Sequence, residues 1–252
     1  MTNDDWYRYY APRRLATLTP ARQAADRAAA EHDIDAVLAR TGLRPSDRIL
    51  EVGCGWGRHS LALARRGFGA VVSIDIAPEP LALAEELARN AGLLCDLRER
   101  SFGDIHEGGF QAILSLYDRS VCGFPTEGED ARSLVHQASL LRPGGWLVFG
   151  INDWPFQLPQ AAQRWHDTPG RLELVEVQPD RAAMTCTDRV TLVRPDGGRE
   201  TYALTRRHYY LPELRRLLAS AGLGLVAALH RLVEERPYGD GGDGLFIYAR
   251  RM

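Results

Sequence analysis

The chain has 252 residues, of which 45 % are apolar and 25 % charged, and its formal net charge is −2. This composition is that of a globular protein, and the length allows one large domain or one domain with a sizeable insertion. No run of about 18 apolar residues occurs, so we expect no membrane span; the slight acidity argues against a nucleic-acid partner. All 31 basic residues are arginine, which excludes Schiff-base and P-loop lysine chemistry.

The first residues of the chain and its cysteines bear on cellular location and on metal binding. The first residues, "MTNDDWYRYYAPRR", lack the apolar core of a secretory signal. The four cysteines, Cys54, Cys95, Cys122 and Cys186, are far apart and fit no zinc spacing. We therefore expect a cytoplasmic protein with free thiols and no bound metal.

The first half of the chain alternates between predicted helices and strands. Residues 1–18 are rich in aromatic residues and arginine and show no clear period, whereas Thr19-Pro20 predicts the start of a helix that ends at Gly42. The predicted strands are "RILEVG", "AVVSIDI", "LLCDLRER", "FQAILSLY" and "WLVFGI". The helices predicted between them are "RHSLALARRG", "EPLALAEELARNAG" and "GEDARSLVHQASLL", the last one ended by "RPGG". Such alternation predicts a parallel sheet with helices on both faces.

The second half has a different pattern. Residues 152–170 are rich in Trp and Pro and predict irregular structure, and residues 171–206 predict three or four antiparallel strands. Within them, "RVTLVRPDGGRETYALT" predicts a hairpin that turns at Pro195-Asp196-Gly197. A last helix, "YLPELRRLLASAGL", and two last strands, "GLVAALHRLVEER" and "GLFIYARR", follow, and we expect the final strand to be antiparallel.

Three glycines lie in one turn between the first strand and the next helix. Gly53, Gly55 and Gly57 form a G-x-G-x-G pattern, which lets the backbone approach a ligand closely. Asp75 follows about 20 residues later, where an acid would meet ribose hydroxyls. The dinucleotide pattern has its third glycine where this chain has Arg58, which argues against a nicotinamide cofactor.

Four stretches together resemble the ordered motifs of class I S-adenosylmethionine-dependent methyltransferases. They are "ILEVGCGWGRHSLALARRG", "SIDIAPEPLALAEELA", "SFGDI" and "LLRPGGWLVFGI". "RHYYLPEL", Arg207 to Leu214, resembles the start of the last helix in a small-molecule, natural-product subgroup. "YRYYAP" is similar to the N-terminal tyrosines of glycine N-methyltransferase and amino-sugar N,N-dimethyltransferase relatives.

The resemblance implies a fold and a division of the chain. The fold is α/β, a Rossmann-like seven-stranded sheet with helices on both faces, with an antiparallel β segment inserted after strand five. Within one domain, residues 1–45 form a helical and aromatic lid and residues 46–151 a cofactor-binding core. Residues 152–210 form the inserted lid, and residues 211–252 the last helix and final two strands.

The resemblance also implies a cofactor, S-adenosylmethionine, with S-adenosylhomocysteine as product. Asp75 would accept bonds from both ribose hydroxyls, Asp104 would bond the adenine amino group, and Glu51 would support the cofactor's amino group. The remaining cofactor residues border the turn and the strand ends: Gly53, Cys54, Gly55, Gly57, Ile76, Ile105, Ser115 and Leu116.

The residues that would act on the acceptor follow strand four or strand five, open the last helix or lie near the N-terminus. In-line displacement from a sulfonium needs mainly alignment and exclusion of water, and a general base is optional. The candidate catalytic residues are His208, Tyr117 and Tyr10, and the candidate substrate-binding residues are Tyr7, Asp118, Trp154, Arg207 and Tyr209. His59, beside the glycine turn, is expected to pack or cap its helix.

The sequence predicts a methyltransferase of a small-molecule acceptor, with N- and O-methylation nearly equal alternatives. We expect no nucleic-acid or membrane partner, and a monomer or homodimer. The alternatives are a methyltransferase of RNA or protein, a nicotinamide-dependent oxidoreductase, and a binding protein that kept the fold without catalysis.

Overall fold

The computed structural model describes residues 7–117, 122–152, 161–168, 171–233 and 244–252. The helices are α1 (Tyr7–Ala16), α2 (Pro20–Thr41), α3 (Arg58–Arg65), α4 (Pro78–Asn90), α5 (Glu127–Leu140) and α6 (Leu211–Ser220). The strands are β1 (Ile49–Val52), β2 (Val71–Asp75), β3 (Asp96–Glu99), β4 (Phe110–Ser115), β5 (Leu141–Asn152), β6 (Ala162–Thr168), β7 (Arg171–Asp180), β8 (Thr185–Val193), β9 (Arg199–Arg207), β10 (Leu223–Leu229) and β11 (Gly244–Arg251).

Seven of these strands form one sheet in the order β10-β11-β5-β4-β1-β2-β3. β1 to β5 pair in parallel, and β11 lies antiparallel between β5 and β10. The predicted α/β fold and the antiparallel final strand are therefore confirmed. Because β1 and β4 are adjacent at the centre, the loops that follow them meet at one edge, where α/β sheets hold their ligands.

The sheet is buried on both faces, as its continuous apolar strands require. Neighbouring residues of β1 point to opposite faces: Leu50 packs in one apolar cluster with Ile113 and Phe149, and Ile49 in another with Ile34 and Val37 of α2. α2 therefore lies on the same face as Ile49, and it carries its polar residue Asp33 into contact with that interior.

The predicted caps of α2 are present. The Thr19 hydroxyl accepts a hydrogen bond from the Arg22 amide at 3.3 Å, and Gly42 ends the helix with φ at 68°. α1, in contrast, was not predicted as a helix, because its aromatic and arginine residues have no helical period and Pro12 lies inside it.

The antiparallel segment after β5 is a second, four-stranded sheet in the order β6-β7-β8-β9. The β8–β9 hairpin turns at residues 194–198, as predicted, and its amides at Gly197 and Arg194 close the turn. β6 corrects the expectation of irregular structure over 152–170, because pairing with β7 imposes a strand on a polar segment. β5 also begins at Leu141 and not at Trp146. Among the described residues, no helix has the length and apolar character needed to cross a membrane.

Candidate functional site

The glycine turn has the left-handed backbone that its sequence indicated. Gly53, Gly55 and Gly57 have φ of 68°, 55° and 75°, which residues with a side chain rarely adopt. A Cβ on Gly57 would lie 2.9 Å from the Cβ of Ala84, so this glycine lets α3 and α4 pack closely. A Cβ on Gly55 would meet nothing within 4 Å, so the backbone there borders open space.

Asp75 is fixed against this turn. Its Oδ2 accepts a hydrogen bond from the Gly55 amide at 2.7 Å, and its Oδ1 accepts one from the Ala77 amide at 2.9 Å. The two segments meet because β1 and β2 pair in parallel and end at the same edge. Each carboxylate oxygen has two lone pairs, so Asp75 can still accept bonds from a ligand.

A cavity of about 200 Å³ lies over the turn and Asp75, and it extends beneath α1 and the start of α2. From the sheet edge it is lined by Val52, Gly53, Cys54, Gly55, Trp56, Arg58, Ile74, Asp75, Ile76, Ala77, Pro80, Arg100, Phe102 and Tyr117. From the N-terminal helices it is lined by Tyr7, Tyr10, Ala11, Arg14, Leu15, Leu18, Arg22 and Asp26. Both sides of the cavity thus combine apolar side chains with charged ones, which are Arg58, Asp75 and Arg100 at the sheet edge and Arg14, Arg22 and Asp26 on the N-terminal side.

Of the predicted residues, eight line this cavity: Gly53, Cys54, Gly55, Asp75, Ile76, Tyr117, Tyr7 and Tyr10. Arg100, Phe102 and Trp56 line it too and were not singled out from the sequence. Phe102 lies within the "SFGDI" motif, and its aromatic character beside a predicted cofactor acid was the available signal.

Glu51 lies beneath the turn and does not line the cavity. Its Oε2 accepts hydrogen bonds from the hydroxyls of Ser60 at 2.5 Å and Ser73 at 3.0 Å, and its Oε1 lies 3.8 Å from His59 Nδ1. Burial raises the pKa of Glu51, although the charge of His59 and the two serine hydrogen bonds oppose that rise. Its predicted contact with the cofactor's amino group stays a prediction.

His59 links this buried group to Asp33 on α2. His59 Nε2 lies 3.3 Å from Asp33 Oδ2, and both side chains are buried. His59 was expected from the sequence to pack or cap its helix, and Asp33 was not among the predicted residues. The available signal was an acid next to Ile34 and near Val37 on the buried face of α2, where apolar residues are expected.

Tyr117 follows β4 and joins the cavity to this network. Its ring stacks on His59 at a centroid distance of 5.6 Å and contacts the edge of Phe246 at 5.4 Å. The Arg58 guanidinium lies 4.4 Å from the ring centre. Burial raises the Tyr117 pKa well above its usual range, and the nearby charge of Asp33 raises the pKa further.

The other predicted cofactor residues lie nearby but do not line the cavity. Asp104 is exposed on a short 3₁₀ turn, Phe102–Asp104, and Ile105 is buried in the core behind it. Ser115 and Leu116 are buried at the end of β4. Within the described part of the chain, the Ser115 Oγ has no hydrogen-bond partner.

Arg207, His208 and Tyr209 lie at the junction of β9 and α6, away from the cavity lining. The Tyr209 hydroxyl donates a hydrogen bond of 2.6 Å to Asp130 Oδ2, and Asp130 Oδ1 accepts from the amides of Gly123 and Phe124. These contacts join the inserted sheet to the loop before α5. The predicted roles of the three residues toward a substrate stay predictions, and Asp118 and Trp154 lie outside the described residues.

No group of three or more metal-binding side chains is found in the described ranges. None of the four cysteines, all of which lie in the described ranges, forms a disulfide, and Cys54 is buried beside the cavity. The lining of the cavity offers hydrogen bonding, charge and apolar enclosure, which are the means of binding and aligning an organic ligand.

Sequence comparison links the core to a family. A model described as a methyltransferase domain matches residues 49–145. The ubiquinone biosynthesis O-methyltransferase of Xanthomonas campestris pv. campestris is 35 % identical over 118 residues, which cover 45 % of this chain and 46 % of that protein. The matches span less than half the length of the first curated relatives.

Solved structures extend the likeness to the whole fold. An S-adenosylmethionine-dependent methyltransferase from Clostridium acetobutylicum has a TM-score of 0.72 at 17 % identity, over 87 % of this chain and 89 % of that one. A structure with bound S-adenosylmethionine, an amino pentose methyltransferase from Micromonospora echinaspora involved in calicheamicin biosynthesis, has a TM-score of 0.58 at 24 % identity. It covers 93 % of this chain and 98 % of that one. At these identities the likeness shows a shared fold.

Proposed function

We propose that this protein is a class I S-adenosylmethionine-dependent methyltransferase and that it methylates a nitrogen or oxygen atom of a small molecule; the match of residues 49–145 to a methyltransferase-domain model supports the first part. The observation that carries the proposal is the cavity itself. It brings the left-handed glycine turn, Asp75 and the aromatic face of α1 around one space.

The residues around the cavity fit S-adenosylmethionine. Its ribose hydroxyls are hydrogen-bond donors, and the Asp75 carboxylate only accepts. The open backbone at Gly55 gives room for the methionine chain, and Ile76 and Phe102 offer apolar surface for the adenine ring. When bound, the cofactor supplies a methyl group already activated by the positive sulfonium.

The chain's own residues then have three tasks. The glycine turn and Asp75 hold the cofactor in one orientation, and Tyr117 contacts the acceptor. α1, with Tyr7 and Tyr10, covers the cavity and excludes water, which favours in-line attack over hydrolysis. In this proposal residues 1–45 act as the lid over the core of residues 46–151.

A small acceptor is favoured by the enclosure. The cavity of about 200 Å³ is covered by helices, and an RNA or a folded protein would need an open approach to it. We further infer a cytoplasmic enzyme, a monomer or homodimer, without a nucleic-acid partner; the net charge of −2 supports the last point. Light scattering on the purified chain checks the oligomeric state.

The first experiment is calorimetric titration with S-adenosylmethionine, S-adenosylhomocysteine and NADH. We expect micromolar binding of the first two and none of NADH. A screen with methyl-labelled cofactor then tests panels of amines and hydroxyl compounds for label transfer. Binding of NADH alone would replace the proposal with a dinucleotide enzyme, and cofactor binding with no transfer to any compound would contradict the small-molecule activity.

A further inference from the structure

The cavity is lined by more positive than negative side chains. Of the described residues around it, four are arginines and two are acids: Arg14, Arg22, Arg58, Arg100, Asp26 and Asp75. The lining therefore carries a surplus of two positive charges, although the chain as a whole has a formal net charge of −2. The positive charge is thus concentrated at the ligand space.

Two buried acids lie behind the lining, and both have partners within the core. Glu51 accepts hydrogen bonds from the hydroxyls of Ser60 and Ser73, and Asp33 Oδ2 lies 3.3 Å from His59 Nε2. Neither acid lines the cavity. Burial also raises the pKa of Glu51, which favours its neutral form. The surface of the cavity therefore stays positive.

Most of the cavity arginines have no acidic partner among the described residues. Arg22 lies 3.8 Å from Asp26 on the same helix. No ion pair within the described ranges involves the other three, which are Arg14, Arg58 and Arg100. Arginines elsewhere on the chain do pair, since Arg66 and Arg98 lie 2.7 Å and 2.6 Å from acids. The guanidinium groups at the cavity are therefore available to an anionic ligand.

Arg58 is the arginine next to the proposed acceptor contact. It begins α3 directly after the glycine turn, and its guanidinium lies 4.4 Å from the centre of the Tyr117 ring. Tyr117 is itself held by a stack on His59 and an edge contact with Phe246. A guanidinium over an aromatic ring is attracted by the π electrons and keeps its N–H donors for other partners. Arg58 is thus held in place beside any acceptor that Tyr117 contacts.

The proposed cofactor would add to the positive charge. S-adenosylmethionine has a sulfonium, an ammonium and a single carboxylate, so its net charge is positive. One arginine satisfies that carboxylate through two parallel hydrogen bonds. At least two arginines without an acidic partner then remain beside a positively charged ligand. Because like charges repel, the loaded cavity favours an anion as its second occupant.

We propose that the acceptor is an anion, which carries a carboxylate or a phosphate ester besides the amine or hydroxyl that is methylated, and that Arg58 binds this anionic group. The inference rests on the proposed function and narrows its acceptor class. Carboxylate and phosphate oxygens both match the fork of a guanidinium, and the experiments distinguish the two. Neutral amines and alcohols are then poor acceptors.

The first test needs no acceptor. Benzoate, phenyl phosphate and neutral benzamide are titrated at constant ionic strength into protein saturated with S-adenosylhomocysteine, and the melting temperature is followed. The two anions should raise it at millimolar concentration and benzamide should not, and Arg58→Gln should lose most of the increase. The anion with the larger effect indicates whether a carboxylate or a phosphate is preferred. Equal responses to benzamide and to both anions would overturn the inference.

The matched control is Arg89→Gln. Arg89 is an exposed residue of α4 outside the cavity lining, and the substitution removes the same charge as Arg58→Gln. It should respond to the two anions as the wild type does. An equal loss in both variants would show that the anions respond only to the overall charge of the protein, and it would overturn the site at Arg58.

The second test measures selectivity in methyl transfer. Each amine or hydroxyl compound of the label-transfer screen is supplied as a carboxylic acid or phosphate ester and as the matching neutral amide or alcohol. The anionic form should have a kcat/KM about 10- to 100-fold higher, the scale of one charge-assisted hydrogen bond. Arg58→Gln should reduce this ratio, and Arg58→Lys, which keeps the charge, should preserve more of it. The ratio is a readout that a general loss of folding does not change.

Failure of the inference and failure of the proposed function give different results. If the wild type methylates neutral compounds as well as anions, or if Arg58→Gln leaves the ratio unchanged, the inference is overturned and the proposed function stands. If the protein binds benzoate or phenyl phosphate through Arg58 but methylates no compound, the proposed function is overturned, and with it the role of the anion as acceptor.

Discussion

The Gly55 amide donates a hydrogen bond of 2.7 Å to the Asp75 carboxylate, which joins the turn after β1 to the end of β2. The two residues are 20 positions apart, and the parallel pairing of their strands places them side by side. Asp75 is thus both a part of the turn's structure and a wall of the cavity. A substitution at Asp75 should therefore change cofactor binding and, to a smaller degree, stability.

We expect Asp75→Ala to weaken binding of S-adenosylhomocysteine by roughly 100-fold, because hydrogen bonds to a charged group are worth about 1.5–3 kcal/mol each. The lost bonds to Gly55 and Ala77 should lower the unfolding free energy by about 1–3 kcal/mol without unfolding the protein. Calorimetry and urea unfolding measure the two effects. Asp96→Ala, an exposed acid on β3, is the control and should bind normally; unchanged affinity in Asp75→Ala would refute the ribose contact.

Deletion of residues 1–15 should lower turnover more than stability. Those residues include Tyr7, Tyr10 and Arg14, which line the cavity, and without them water reaches the reacting atoms. We expect kcat to fall more than about tenfold, while the melting temperature changes by only a few degrees, since the main sheet is untouched. Glu86→Ala, an exposed position of α4 outside the cavity lining, should leave turnover unchanged. Full activity of the truncated chain would remove the lid role of α1.

Glu51→Gln should change how stability depends on pH. Burial raises the Glu51 pKa in the folded state above the unfolded value of about 4.3, so the folded protein holds this proton more tightly. The stabilisation from Glu51 is therefore complete below about pH 4 and is lost as the pH rises through the raised pKa. Glutamine cannot titrate and keeps an oxygen for Ser60 and Ser73, so the variant should lose less stability than the wild type between pH 4 and neutral pH. Urea unfolding across that range measures it, and parallel pH curves would contradict the assignment.

Gly150→Ala should be strongly destabilising. A Cβ on Gly150 would lie 2.2 Å from the Leu116 carbonyl oxygen and 2.7 Å from Phe246 Cε1, both closer than atoms can approach. Forcing such contacts apart costs typically 1–3 kcal/mol or more, and here it also shifts the residue before Tyr117. Gly69→Ala, whose added Cβ would meet nothing within 4 Å, should be nearly neutral. Equal melting temperatures for the two variants would show that the strand end can relax.

The sequence predicted the core because its elements carry local signals. Apolar runs ending in glycine mark β1 and β2, and Thr19 and Gly42 mark the ends of α2 by their capping chemistry. α1 was missed because it packs against α4, a contact between distant parts of the chain, while its own sequence has no helical period of apolar residues. β6 was missed for the same reason, since its polar sequence "AQRWHDT" becomes a strand through its partner β7.

The site was predicted where a motif marks each residue and missed where residues meet only in three dimensions. Asp75 and the glycine turn were found by spacing along the chain. Asp33 and His59 lie 26 positions apart on different helices, and no spacing rule connects them. Arg207, His208 and Tyr209 lie in the motif that resembles the family's last helix start, but no local pattern predicts their contacts. The Tyr209 hydroxyl bonds to Asp130, and the amides of Arg207 and His208 bond to the carbonyls of Phe124 and Met184.

The reactivity of the Cys54 thiol can be used to follow the position of α1. This thiol is 5 % exposed and borders the cavity that α1 covers, whereas Cys122 and Cys186 are buried elsewhere and Cys95 is half-buried at the sheet edge. A thiol reagent should reach Cys95 directly and Cys54 only when α1 lifts. The rate at which Cys54 is modified then measures how often α1 moves away from the cavity, and bound cofactor should slow this rate.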